Sequence, residues 1–318
     1  MPGEASAHAP YRSARGNPEG WARPFATALA FATAGVVGAC LPSDNRPVPA
    51  SILVTVEPSE ATKNGFTSID GWQITFDRVL VALGDVDLDD ADETATACNA
   101  YSETHYERLF DLVAVDQEKV GLVYGIGQCS VEYRLRGPDD ETLLGPGVTS
   151  ADLADMSERG SDPYDGDRTT FRVIGSLSRD GVTKQFDWRF RRGFEFSNCV
   201  RQDGAAQTQL SLESEEAHTL RVEMRAEELF RLWPNDEAPL QVGPMGEADD
   251  DGDGFLTLAE LESSNLPALD LPIEGLAEDE LPDPLPPTRT GLMYELLLPR
   301  VTRIVGGAAC EAEVRGRR

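Results

Sequence analysis

The chain has 318 residues, 40% of them apolar, which is enough for a packed core in one large or two ordinary domains and excludes a wholly disordered chain. Asp and Glu number 56 against 28 Lys and Arg, for a formal net charge of −28. So acidic a surface repels phosphate backbones, which excludes nucleic acid as a partner, and it favours cations.

Residues 1–23 are polar and include Arg12, Arg15 and Arg23, and an apolar run from Phe25 to Ala39 follows them. This order has the shape of a secretory signal over residues 1–39, and the run is shorter than the roughly 20 residues that a membrane-crossing helix needs. The run ends in Val37-Gly38-Ala39-Cys40, which resembles a bacterial lipobox, where small residues precede a cysteine that is lipidated and becomes the new amino terminus. The resemblance implies lipidation of Cys40 and a membrane partner reached through a lipid anchor. Because Leu41 rather than Asp follows, it also implies delivery to the outer membrane or cell surface. Ordinary signal cleavage and a retained anchor are the alternatives. Residues 40–50, with Pro42, Pro47 and Pro49, read as a tether.

Residues 51–224 read as strands. Ser51–Glu57 is rich in β-branched residues, and Trp72, Ile74 and Phe76 alternate with polar neighbours, as do Val79, Val81 and Leu83. The acidic stretch from Asp85 to Glu93 is expected to lead into a loop. Leu109–Val115, Val120–Tyr124 and Cys129–Leu135 are further strand candidates, and one helical turn is expected at Ser150–Ser157. Thr170–Ile174 and Val182–Phe190 form a hairpin through Asp180-Gly181, a strong turn signal. Thr208–Glu213 and Thr219–Met224 complete the set. Short strands with turns between them predict a mainly β fold, an antiparallel β-sandwich.

After Glu223 the composition changes. A helix is expected from Glu223 to Trp233, and a segment over 225–265 contains Asp249-Asp250-Asp251-Gly252-Asp253-Gly254-Phe255-Leu256-Thr257-Leu258-Ala259-Glu260. This dodecapeptide resembles a single EF-hand loop of the dockerin-like kind. The resemblance implies a Ca2+ held by Asp249, Asp251, Asp253, the Phe255 carbonyl, Thr257 and a bidentate Glu260, with Gly254 at the sharp turn and Leu256 facing the fold. An all-oxygen donor set suits a hard cation and argues against zinc. A short exit helix is expected over Thr257–Ser263, while Gly243, Pro244 and Gly246 disfavour a regular entry helix. No second loop is present to pair with it, so the expected role of the ion is structural, ordering residues 245–263.

Six prolines between Leu266 and Pro287 give residues 266–289 the look of an extended linker. Residues 290–318 form a tail with an apolar helix over Thr290–Ile304, kinked at Pro299 and stopped by Gly306-Gly307.

Beyond Cys40 there are four cysteines, Cys98, Cys129, Cys199 and Cys310, with no CxxC pair. An even number without metal spacing suits two disulfides in an oxidising compartment. Three connectivities are possible; proximity favours Cys98–Cys129, which leaves Cys199–Cys310.

No GxSxG, HExxH, P-loop or dinucleotide fingerprint occurs. His105 and His218 are candidate bases for an envelope hydrolase, a reading weighed below a surface or structural histidine. Asp162, Asp165 and Asp167 are a second acidic cluster without a twelfth-place Glu. Trp72, Trp188 and Trp233 are candidates for stacking on sugars. The sequence therefore points to a non-enzymatic, calcium-binding envelope lipoprotein. The alternative is a calcium-dependent adhesion or carbohydrate-binding module, its protein or glycan partner unknown. Mass spectrometry of the mature amino terminus should find a lipid-modified Cys40, and an unmodified terminus elsewhere would reject the lipobox.

Overall fold

The computed structural model describes residues 47–91, 97–160, 168–200, 204–263 and 286–315. Cys40 and the leader, Asp162, Asp165 and Asp167, and most of the proline-rich linker lie outside the described residues. The strands of the first half are β1 Ala50–Pro58, β2 Phe66–Thr67, β3 Gln73–Asp90, β4 Asn99–Ser102, β5 Thr104–Asp111, β6 Glu118–Leu135 and β7 Leu143–Leu144. Those of the second half are β8 Phe171–Arg179, β9 Val182–Phe190, β10 Phe194–Ser197, β11 Gln209–Leu212, β12 Ala217–Met224, β13 Phe255–Leu256, β14 Thr302–Ile304 and β15 Glu311–Val314. The short helices are α1 Glu60–Asn64, α2 Ser150–Ser157, α3 Gly243–Gly246, α4 Leu258–Ser263 and α5 Arg289–Leu292.

The protein is mainly β, and its sheet is mixed and continuous where the sequence reading expects an antiparallel sandwich. All the described strands join one curled, mixed sheet, whose main path runs β13-β9-β8-β3-β6-β1-β12-β14. β1 lies parallel to β12, β5 to β7 and β13 to β9. The reason is the length of β6. Its first half pairs with β1 and β4, and its second half with β11, β10 and β3, so one strand is shared by both sets of neighbours. The halves meet at Gly127, whose φ of 110° no residue with a Cβ adopts without strain.

β3 is equally long, and it takes in Asp85–Asp90, most of the acidic stretch expected to lead into a loop. Its middle is buried on both faces because α2 covers the outer one: Leu80, Ala82, Leu109 and Met156 form a small second core with Leu153 and Val148. Asp85 tolerates burial because Arg136 Nη1 and Arg134 Nη1 lie 2.6 and 3.5 Å from its Oδ2.

Two expected helices change. In place of a helix over Glu223–Trp233, β12 continues to Met224 and a single 3-10 turn follows at Ala226–Phe230. Charge pairing fixes that turn. Glu228, fully buried, lies 3.0 Å from Arg225 Nε, 2.5 Å from Arg231 Nε and 3.2 Å from Arg303 Nη2. The C-terminal helix ends at Arg300 instead of Ile304, passing from α5 through a π turn to a 3-10 turn that holds Pro299. Thr302–Ile304 instead pair with the free side of β12 as β14, where their backbone groups find partners.

Both favoured disulfides are present, Cys98–Cys129 and Cys199–Cys310. They point to an oxidising, extracytoplasmic compartment. The second spans 111 residues and ties the segment before β15 to the segment after β10. Replacing Cys199 and Cys310 together by Ser is expected to lower unfolding free energy by about 5 kcal/mol in the chain-entropy model, read by urea denaturation.

Candidate metal centre

The acidic dodecapeptide reaches the outer side of β9 by way of anchors on both of its flanks. On the entry side, Asp70 accepts hydrogen bonds from the amides of Val242 at 3.3 Å and Gly243 at 2.5 Å, and from Ser68 Oγ at 2.6 Å. Desolvation pushes the Asp70 carboxyl up, yet these three donors hold it below its ordinary value. The single turn α3 follows, with Met245 and Ala248 buried, in keeping with the expectation that no regular entry helix forms.

On the exit side Leu256 is wholly buried, as its place in the loop implies. Phe255 and Leu256 pair in parallel with Gln185 and Phe186, and the Gln185 amide donates to the Gly254 carbonyl at 2.8 Å. Trp188 Nε1 donates to the Leu256 carbonyl at 2.9 Å. The exit helix α4 begins one residue later than expected because Thr257 caps it. The Glu260 amide donates to Thr257 Oγ1 at 3.1 Å, while the Thr257 amide and hydroxyl both donate to Glu260 Oε2 at 2.8 Å. This is a reciprocal capping box.

Between these anchors the chain turns through Gly252 at φ 72° and Gly254 at φ 81°. The left-handed turn at Gly254 is the one the loop resemblance requires. Asx turns brace the arc: the Asp253 amide donates to Asp251 Oδ1 at 3.1 Å, and the Phe255 amide to Asp253 Oδ1 at 2.7 Å.

Asp249, Asp251 and Asp253 each present a carboxylate oxygen, and the three oxygens lie within 4.8 Å of one another. A Ca2+ ion with oxygens at 2.3–2.6 Å has ligand atoms no more than about 5 Å apart, so this spacing fits a shared ion. Asp249 Oδ1 is buried and has no hydrogen-bond partner, an orphaned acceptor that a cation would satisfy. Of the six residues the resemblance implies as ligands, the structure brings these three together. Glu260 is turned onto the α4 cap, and Thr257 Oγ1 is bonded to it. The Phe255 carbonyl belongs to β13.

Sequence reasoning missed Lys184, whose Nζ lies 3.2 Å from Asp249 Oδ2. Desolvation pushes the Asp249 carboxyl up, but the hydrogen bond and charge of Lys184 and the amides of Gly254 and Gly252 hold it below its ordinary value. No local signal marks the lysine, which sits among alternating residues of β9. A second convergence also escaped notice: Asp87, Glu103 and His105 bring three side-chain donor atoms within 4.8 Å. There Arg134 Nη2 lies 3.1 Å from Asp87 Oδ2, so a guanidinium already neutralises the most buried carboxylate.

The other candidates are dispersed. His105 is exposed on β5, 4.0 Å from Glu103, and His218 sits on β12, 3.2 Å from Glu216. Trp72, Trp188 and Trp233 are all buried. No family model, curated protein or solved structure matches the chain.

Because Leu256 fixes the arc to the core, Leu256→Ala is expected to cost about 3 kcal/mol in stability, read by urea denaturation. The same variant should shift Trp188 fluorescence, whose indole loses its fixed carbonyl partner. An unchanged spectrum would mean that the loop is not held through this side chain.

Proposed function

We propose that the chain is an exported, non-enzymatic envelope protein that binds one Ca2+ in the arc of residues 249–260 and is anchored to the membrane through lipidated Cys40. The observation behind the metal is the convergence of Asp249, Asp251 and Asp253 around a glycine-rich turn, with one buried carboxylate oxygen left without a donor. Hard oxygen donors at this spacing favour Ca2+ over softer ions. The residues of this chain hold the ion, and the ion supplies positive charge to an acidic arc that Lys184 alone does not neutralise.

The expected role of ordering residues 245–263 narrows. Met245, Ala248, Leu256 and Leu261 are buried on either side of the ligating stretch, so packing holds the flanks and the ion acts on residues 249–254. Anchoring at Cys40 rests on the lipobox resemblance, and the two disulfides support export.

The adhesion or carbohydrate-binding alternative depends on exposed aromatic faces. With all three candidate tryptophans buried, it retains Tyr101, which is 39% exposed on β4. A glycan that binds only with Ca2+ and only with Tyr101 intact would favour it.

Calorimetric titration of Ca2+ into the full-length chain should give saturable heat that is absent from the Asp249→Ala, Glu260→Ala double variant. Equal heats from the two proteins would overturn the calcium reading.

A further inference from the structure

Lys184 stands out among the charges around the arc. Asp249, Asp250, Asp251, Asp253 and Glu260 are all acidic, and among the described residues Lys184 is the one cation in an ion pair with any of them. Its side chain is only 15% exposed, and the carboxylate it meets, at 5%, is still more buried. The ammonium therefore does not wave in solvent like an ordinary surface lysine. It is carried by β9, the strand on which the arc is built: Gln185, its neighbour, donates to the Gly254 carbonyl. The carboxylate it pairs with is the one whose other oxygen is buried without a donor.

We propose that Lys184 is a tethered counter-cation that shares Asp249 with the metal and thereby weakens and tunes Ca2+ binding. This inference rests on the calcium reading given above. Without a divalent ion, the ammonium offsets the mutual repulsion of three converging carboxylates and keeps the arc closed. When Ca2+ enters, the ion and the ammonium are like charges on one carboxylate, so the lysine must withdraw or bear the repulsion. A doubly charged ion can displace it, whereas a singly charged ion gains little over the tethered ammonium. The lysine thus biases the arc towards divalent ions while lowering its affinity for them.

Removing the charge acts twice in the same direction. The metal-free arc loses its internal neutralisation, and the bound arc loses a repulsive neighbour. Lys184→Met keeps an unbranched aliphatic side chain without the charge, and Lys184→Gln keeps polarity should the methionine disturb folding.

The test uses the full-length chain and both variants, stripped with chelator, titrated with Ca2+ alone by calorimetry and melted with and without saturating Ca2+. Both variants are expected to bind about tenfold more tightly than the wild type. They should also melt lower without Ca2+ and show a larger Ca2+-induced rise in Tm. A lysine with only a structural role would lower the melts with and without Ca2+ equally and leave Kd unchanged. Unchanged or weaker binding in both variants, alongside a wild type that binds, overturns the role of Lys184 and leaves the calcium reading standing. Absence of heat from the wild type and both variants overturns the calcium reading itself.

Discussion

The structure turns on a two-residue pairing. Phe255 and Leu256 lie in register with Gln185 and Phe186, and the Leu256 carbonyl receives the Trp188 indole N–H. Trp188 in turn stacks on Phe186 with ring centroids 4.4 Å apart and lies 5.6 Å from Phe230. Phe230 also meets Phe66 and Phe76, at 5.5 and 6.0 Å. One backbone carbonyl of the acidic arc is thus coupled to an aromatic core built from β2, β3, β9 and the 3-10 turn after β12. Burying the Leu256 side chain contributes about 2 kcal/mol, and pairing with β9 satisfies backbone groups that would otherwise face the edge of the sheet.

That edge exists because the sheet curls instead of closing. β6 exchanges one set of neighbours for the other at Gly127, and β3 follows it through the bulge between Gly84 and Asp87. The two ends of the path, β13 and β14, come from the last quarter of the chain, so the C-terminal residues finish both edges. They are held there by different forces. β14 is fixed by Arg303 on buried Glu228 and by Tyr133, whose hydroxyl lies 2.9 Å from Thr302 Oγ1. The helical segment before it is fixed by Tyr294, whose hydroxyl donates to the Arg189 carbonyl at 3.1 Å, and by Thr290 donating to Leu258 in α4. The arc is therefore bounded by β9 on one side and the C-terminal helices on the other.

What could be read from the sequence was what local chemistry decides. Asp180-Gly181 makes a hairpin wherever it falls between alternating strands, and Asp180 adopts φ 54° there as a tight turn demands. The Gly254 turn, the inward Leu256 and the short exit helix are what the resemblance of the dodecapeptide to a calcium loop implies. Proximity sufficed for one disulfide and elimination for the other. The long strands were hidden because Gly125 and Gly127 look like breaks in β6, and the acidic run of Asp85, Asp87 and Asp89 looks like the end of β3. Only the tertiary partners, Arg134 and Arg136 for Asp85 and Arg134 for Asp87, make those buried or half-buried carboxylates acceptable in a sheet. Lys184 was illegible for the same reason. Its pairing with Asp249 joins distant parts of the chain, and alternation in β9 cannot distinguish a lysine facing solvent from one facing a carboxylate.

On the proposed reading, this anchoring limits what an ion can do. A sensor of the helix-swinging kind needs two helices that separate, but α3 is a four-residue turn and α4 has six residues, with Leu261 buried. The flanks are already in the core, so binding orders few residues and little conformational entropy opposes it. The ion's free energy then appears mainly as mass-action stabilisation of the folded state, about 2.7 kcal/mol at a hundredfold excess over Kd. Its path into the fold is short: a shift of Asp249 reaches Lys184, and a shift of Gly254 reaches Gln185, both on β9. Any wider consequence must pass through that strand to Trp188 and the aromatic core, which is close-packed and yields little. On that reading calcium would be a local brace on an edge that packing has already positioned.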